Sequence, residues 1–83
     1  MATVLQATIE KPRGVNAATF NHISVAQEQA DLDAAQRYLE ANFKPEKSWF
    51  VYRGGSHVAL HRHTTSGSVM GPRIAIIVER KPS

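Results

Sequence analysis

Three histidines in the second half of the chain are the residues whose spacing most clearly suggests chemistry. His57, His61 and His63 are separated by even numbers of residues, so on a β-strand their side chains lie on one side. A His-x-His pair on a strand can chelate a metal ion, and His57 or Glu79 could complete a tetrahedral site. However, His61 and His63 are about 7 Å apart along a strand, and His57 is about twice as far from His61. One ion cannot bind all three without distortion, so we expect no metal site and no cofactor.

Catalytic motifs are absent from the sequence. There is no cysteine, which excludes disulfides, thiolate zinc sites and cysteine nucleophiles. Neither the G-x-S-x-G pattern of a serine nucleophile nor the glycine-rich pattern of a phosphate-binding loop occurs. The carboxylates of Glu28, Asp31, Asp33 and Glu40 fall on a polar helix face, with no sign of the apolar pocket that a general acid needs. We therefore expect a protein that is not an enzyme and has no catalytic residues.

The length and composition indicate one small folded domain over residues 1–83. Of its 83 residues, 42% are apolar and 20% are charged, which is close to the average for globular proteins. The longest apolar run, at 74–78, is far shorter than the roughly 20 residues of a membrane-spanning helix. The first residues contain neither a basic leader nor a long hydrophobic stretch, so a cytoplasmic protein without membrane partners is expected.

Charge is distributed unevenly along the chain. Residues 1–43 contain three basic and five acidic side chains, whereas residues 44–83 contain seven basic and two acidic ones. The first half therefore has a net charge of −2 and the second half +5, which together give the net charge of +3. Such asymmetry favours oriented docking on a charged partner, although two ordinary solvated surfaces are the simpler interpretation.

The first half of the chain is predicted to form a β-hairpin followed by one helix. Residues 3–10 alternate in polarity and predict a strand, and residues 11–16 contain turn-forming types. Residues 18–25 are rich in β-branched and aromatic side chains and predict a second strand. Residues 27–43 lack Gly and Pro and predict a helix that ends before Pro45, with an apolar stripe of Leu32, Ala35, Leu39 and Phe43.

A second hairpin is predicted around Gly54 and Gly55. Two glycines between the β-rich runs 48–53 and 56–64 predict a two-residue turn, which requires positive φ angles. In that register Tyr52 lies opposite His57 and Trp49 opposite Leu60. The side facing the helix is then Trp49, Val51, Val58 and Leu60, and the opposite side is Phe50, Tyr52, His57, Ala59, His61 and His63.

The C-terminal strand is predicted at residues 73–80, after a flexible loop at 65–72. Strict alternation directs one set inward, namely Ile74, Ile76 and Val78, and another set outward, namely Arg73, Ala75, Ile77 and Glu79. The expected fold class is therefore α+β: a single small domain with the element order ββαβββ and one helix packed on a mainly antiparallel sheet.

The outward side of this sheet is the predicted functional surface. It is too apolar to be ordinary solvent-exposed surface on so small a domain, and Tyr, Phe and Arg are enriched in binding hot spots. We expect it to bind a protein or nucleoprotein complex, or a second copy of the chain in a homodimer. The predicted partner-binding residues are Phe50, Tyr52, Arg53, His57, His61, His63 and Arg73.

Size and form suggest the biological role of such a surface. Short α+β domains that lack cysteine and catalytic motifs are typical of the inhibitors with which phages and mobile elements block host complexes, including anti-CRISPR inhibitors. The sequence therefore favours a phage-type inhibitor that occludes part of a larger host assembly.

Nucleic-acid binding is the alternative function. Phe50, Tyr52 and the histidines offer rings for base stacking, while nearby basic side chains could contact phosphates, namely Lys44, Lys47, Arg53 and Arg73. Neither the aromatic signature of an RRM nor the GXXG loop of a KH domain is present. A small RNA- or DNA-binding domain consequently stays the second choice.

Overall fold

A computed structural model describes residues 4–10, 15–46, 48–63 and 70–80, and shows a small α+β domain. Its elements in chain order are β1 (Val4–Ile9), α1 (Ala17–Gln27), α2 (Leu32–Phe43), β2 (Trp49–Arg53), β3 (His57–His63) and β4 (Met70–Arg80). The four strands form one antiparallel sheet in the order β1-β4-β3-β2. The fold class predicted from sequence is confirmed, but the element order is βααβββ, because a helix replaces the second strand.

The segment 18–25, predicted as a strand, lies within α1. Asn16 caps the helix by accepting a hydrogen bond from the Thr19 backbone N–H at 2.9 Å, as asparagine commonly does at this position. Thr19, Ile23 and Ala26 are buried at helical spacing. β-branched residues favour strands only weakly. Here the N-cap and the packing of the buried residues outweigh that preference.

The predicted long helix is two helices, of which α2 contains the predicted stripe. Glu28 ends α1, and Asp31 begins α2 by accepting from the Ala34 N–H at 2.9 Å. The stripe itself is confirmed, because its four members are all buried: Leu32, Ala35, Leu39 and Phe43. Two acidic residues of the predicted long helix lie instead at the start of α2, where Asp31 is the N-cap and Asp33 lies in the first turn.

The hairpin between β2 and β3 is confirmed, with its turn one residue later than predicted. The Gly54 N–H donates to the His57 carbonyl at 2.9 Å, so Gly55 and Ser56 form the tip. Tyr52 lies opposite Ala59 rather than His57. The pairing partner has moved by two residues, and a shift by an even number leaves every side chain on its predicted side. Neither glycine has a φ in the left-handed region, so the expected need for positive φ was wrong.

Strand β4 contains a bulge that reverses the predicted alternation. Leu60 lies opposite Ala75 and His61 opposite Arg73, which leaves Ile74 as an extra residue. Ile74 and Ala75 are both buried, and alternation then continues with Ile77 buried. The inward placement of Ile74 is confirmed. The predicted inward positions of Ile76 and Val78 are wrong, and so are the predicted outward positions of Ala75, Ile77 and Glu79, because a bulge changes the phase of a strand without changing its composition.

One hydrophobic core fills the space between the helices and the inward side of the sheet. Both helices and all four strands contribute buried side chains, among them Ile23, Leu39, Leu60 and Ile77. Strand β4 also begins at Met70, within the predicted loop. The predicted turn at 11–14, the loop residues 65–69 and the phosphate-contact candidate Lys47 lie outside the described residues.

Within the described part of the chain, no helix has the length and apolar character needed to cross a membrane. The two helices have 11 and 12 residues, and each presents an apolar stripe to the same core. The apolar residues of both helices are therefore explained by packing against the sheet.

Gly71 provides a test of the close approach between β3 and β4. A Cβ at this position would overlap the Arg62 carbonyl oxygen, which is backbone and cannot rotate away. Gly71→Ala should therefore lower the free energy of unfolding by about 1–3 kcal/mol, the usual cost of overpacking. The matched control is Gly55→Ala, where a Cβ meets nothing within 4 Å, and a change within about 0.5 kcal/mol is expected. Equal stability of the two variants in urea denaturation would contradict the strand pairing near Gly71.

Candidate partner-binding face

The sheet has one side covered by helices and one side that no described helix covers. We call the second side the outer face. The register places on it the side chains that do not point toward the core. Its members are Val4, Gln6 and Thr8 of β1, Arg73, Ile76, Val78 and Arg80 of β4, His57, Ala59, His61 and His63 of β3, and Phe50 and Tyr52 of β2.

Exposed apolar side chains are concentrated on the outer face. Four large hydrophobic residues are exposed in the described part of the chain, and three of them lie here: Val4 at 47%, Phe50 at 36% and Tyr52 at 43%. The fourth, Phe20, is 53% exposed on α1. Half-buried Ile76 and Val78 add apolar surface on β4, between β1 and β3. Exposed apolar surface on one side of a sheet is typical of interaction sites.

Two aromatic residues of β2 are each packed against a histidine of β3. The Tyr52 and His57 rings are 5.9 Å apart and tilted, and the Phe50 and His63 rings are 5.8 Å apart in an edge arrangement. These distances are typical of favourable ring contacts. The His63 Nε2 also donates to the Trp49 carbonyl at 3.1 Å, which fixes its ring. The two exposed aromatic rings are thus held in place before any partner binds.

His61 is oriented by the same bulged region of β4. Its Nδ1 donates to the Gly71 carbonyl at 3.0 Å, and the residue lies opposite Arg73. The three histidines of β3 share the outer face, as predicted. Within the described ranges, no group of three or more His, Cys, Asp or Glu side chains is close enough to hold a metal ion.

The two arginines predicted for this surface lie in different environments. Arg73 is on the outer face, where its Nε and one terminal nitrogen contact both carboxylate oxygens of Glu10 at 2.6 and 2.8 Å. Arg53 is on the helix side, because odd-numbered residues of β2 point there. Its guanidinium is 2.6 Å from an Asp33 oxygen of α2. Arg53, predicted among the partner-binding residues, therefore does not lie on the outer face.

Some members of the outer face were not predicted as partner-binding residues. Ile76 and Val78 were missed because the bulge in β4 leaves no signal in the polarity pattern. Val4 and Thr8 could have been identified, because alternation along β1 directs Leu5 inward and its neighbours outward. The alternation of polarity in β1 indicates which of its side chains point outward. Nothing in the sequence indicates that β1 is an edge strand paired with β4.

A separate cleft of about 300 Å³ opens on the helix side, near the start of α1 and the end of α2. Its lining includes an imidazole, a carboxylate and a guanidinium group, from His22, Glu46 and Arg62. His22 contacts the Tyr38 hydroxyl at 3.2 Å and the Phe43 ring edge at 5.4 Å, and Arg62 lies 4.8 Å above the Trp49 ring. These side chains support the packing of the helix ends.

Comparisons with known proteins give no relative. No protein-family model matches the sequence, and no curated protein or solved structure matches the chain.

Zinc provides a test of whether the histidines act as ligands. We expect zinc to raise the Tm of the tag-free protein by no more than about 2 °C, because ligand stabilisation grows with concentration relative to Kd and no tight site is expected. Thermal unfolding with and without micromolar zinc measures this. A rise of many degrees that disappears in His61→Ala would contradict it.

Proposed function

We propose that this protein is a non-enzymatic interaction domain that binds a larger protein or nucleoprotein assembly through its outer face. The observation that carries the proposal is the position of the exposed apolar residues. Three of the four exposed large hydrophobic side chains among the described residues lie on one side of the sheet. Solvation alone does not favour such clustering, whereas burial against a partner does.

The arrangement of the aromatic rings supports this role. Tyr52 and Phe50 are each in ring contact with a histidine, so both have less freedom to lose when a partner covers them. Loss of side-chain freedom is one of the main costs of association, and reducing it before binding increases affinity. Aromatic side chains are also among the residue types that most often form the hot spots of protein interfaces.

The charges on the outer face favour a protein partner over nucleic acid. Binding to a phosphate backbone depends on Lys and Arg side chains that replace counterions. Arg73 is already paired with Glu10 through two contacts, and Arg53 lies on the helix side beside Asp33. Arg80 lies at one end of the outer face, but the row that crosses its middle has no cation: it consists of Thr8, Ile76, Ala59 and Tyr52. A partner with apolar contact residues is the better chemical complement.

Occlusion is the mode of action that we propose for this surface. The domain has 83 residues and one apolar side of its sheet that is suited to contact. A domain of this size can cover a surface patch on a larger assembly and prevent other molecules from reaching it. An inhibitor of a host complex, as phages and mobile elements encode, would act in this way.

Truncation of one aromatic residue on each side of β2 separates folding from binding. Trp49→Ala should lower the free energy of unfolding by about 3–5 kcal/mol, because Trp49 is buried against Phe43 in the core. Tyr52→Ala should leave the unfolding midpoint nearly unchanged, yet weaken partner binding by about 1–3 kcal/mol. Denaturation measures the first effect, and capture of the partner from nuclease-treated host lysate by immobilised protein measures the second.

The control for Tyr52→Ala is Phe20→Ala, which removes an exposed aromatic ring from α1 instead. We expect Phe20→Ala to capture the same protein as the wild type. Loss of capture in Phe20→Ala but not in Tyr52→Ala would move the binding surface to the helices. Capture that requires nucleic acid and falls steeply with salt would instead support the nucleic-acid alternative.

A further inference from the structure

The outer edge of β1 exposes backbone groups that are suited to pairing with another strand. The Glu10 N–H donates to the Ile74 carbonyl at 2.7 Å, which fixes which residues of β1 bond to β4. Even-numbered residues of β1 direct their N–H and C=O groups toward β4, so Leu5, Ala7 and Ile9 direct theirs away from the sheet.

Only part of this edge is protected. The Leu5 carbonyl accepts a hydrogen bond from the Gln27 side chain of α1 at 3.4 Å. Among the described residues, no hydrogen bond reaches the outward N–H or C=O groups of Ala7 and Ile9. One residue lies between them, so their N–H and C=O groups have the spacing with which an antiparallel strand forms two successive hydrogen-bonded pairs.

The other edge of the sheet, strand β2, is capped at its first residue and carries a charge at its last. The Trp49 N–H donates to the Glu46 carbonyl at 3.3 Å, and the Trp49 carbonyl accepts from His63 at 3.1 Å. Arg53 adds a charge at the far end of β2. Strand β1, by contrast, contains no charged residue, no proline and no bulge, which are the features that usually prevent edge pairing.

We infer that β1 pairs antiparallel with β1 of a second copy of this chain, with Thr8 opposite Thr8 on the twofold axis. In this register Ala7 lies opposite Ile9 of the second copy, and Ile9 opposite its Ala7. Each of these pairs exchanges both backbone hydrogen bonds, so the outward N–H and C=O groups of Ala7 and Ile9 are all used. The inference goes beyond the proposed function, because it concerns the edge of the sheet and not the outer face.

Side-chain chemistry and the Gln27 contact both select this register. Thr8 lies opposite its own symmetry mate in a pair without hydrogen bonds, where threonine pairs are favourable. Gln6 lies opposite Glu10 of the second copy, so no like charges meet. A twofold centred on Ala7 would instead require the Leu5 carbonyl, which already accepts from Gln27.

The dimer would join the two four-stranded sheets into one continuous sheet. The outer faces of the two copies would then lie side by side, with Thr8 at the junction. A partner that contacts both copies would gain from their linkage, since a second contact on the same assembly is effectively intramolecular.

Disulfide crosslinking tests the register directly, because the chain contains no cysteine. In the proposed dimer the two Thr8 Cα atoms are about 4.5 Å apart, a separation that allows a disulfide. Thr8→Cys should therefore form a crosslinked dimer under mild oxidation. Gln6→Cys is the matched control, because its symmetry mates are about 13 Å apart along the strands and should not crosslink. Equal crosslinking of both variants, or none in Thr8→Cys, would overturn the register.

Charge variants test the dimer without a covalent bond. Sedimentation of the wild type should show a dimer at concentrations above about 100 µM, since limited edge pairing gives modest affinity. Thr8→Lys should be monomeric because two like charges meet on the axis, and an equimolar mixture with Thr8→Glu should restore the dimer. Gln6→Lys, which faces Glu10, should stay dimeric.

A wild-type protein that is monomeric throughout this concentration range would overturn the inference. So would a dimer that Thr8→Lys leaves intact. Tyr52→Ala should dimerise normally, because Tyr52 lies on edge strand β2 and not on β1. Loss of partner capture with a normal dimer, or the reverse, therefore distinguishes failure of the proposed function from failure of this inference.

Discussion

The bulge at Ile74 in strand β4 is the constraint on which the rest of the structure depends. Strand β4 pairs with β1 on one side and β3 on the other, so its phase determines which residues of the sheet meet the helices. With the extra residue, Ile74, Ala75 and Ile77 all reach the core. Strict alternation from Ile74 would bury Ile76 instead and expose Ile77. The bulge therefore determines the composition of both sides of the sheet.

One-sided packing explains why one side of the sheet keeps exposed apolar side chains. Helices α1 and α2 place their apolar stripes against the same side of the sheet. The opposite side keeps its exposed aromatic residues, held by the ring contacts of Tyr52 with His57 and Phe50 with His63. Because a small domain buries a limited fraction of its surface, apolar side chains on an uncovered sheet are most readily buried by another macromolecule.

The sequence predicted the parts of the fold that repeat with a regular period. The stripe of α2 follows helical spacing, and the sides of β2 and β3 follow strict alternation, so Leu39, Val58 and Leu60 were correctly placed in the core. The strand predicted at 18–25 was wrong because composition was weighed above the Asn16 cap, a signal that was present in the sequence.

The candidate site was predicted only in part, for a physical reason. Aromatic residues and histidines of the hairpin were assigned to the correct side, because an even register shift conserves sides. The contribution of β4 could not be predicted, since a bulge depends on the strands that flank it. Arg53 was predicted among the partner-binding residues, whereas its odd-numbered position in β2 directs it to the helix side, where it pairs with Asp33.

The most direct test of this account is solvent accessibility of methyl groups along β4. A soluble paramagnetic probe broadens NMR signals of exposed methyl groups more than those of buried ones. The methyl signals of Ile76 and Val78 should broaden strongly, and those of Ile74 and Ile77 should be protected. Ile76 and Ile77 should therefore differ although they are neighbours in sequence. Protection of Ile76 with broadening of Ile77 would contradict the bulge, and with it the outer face as described.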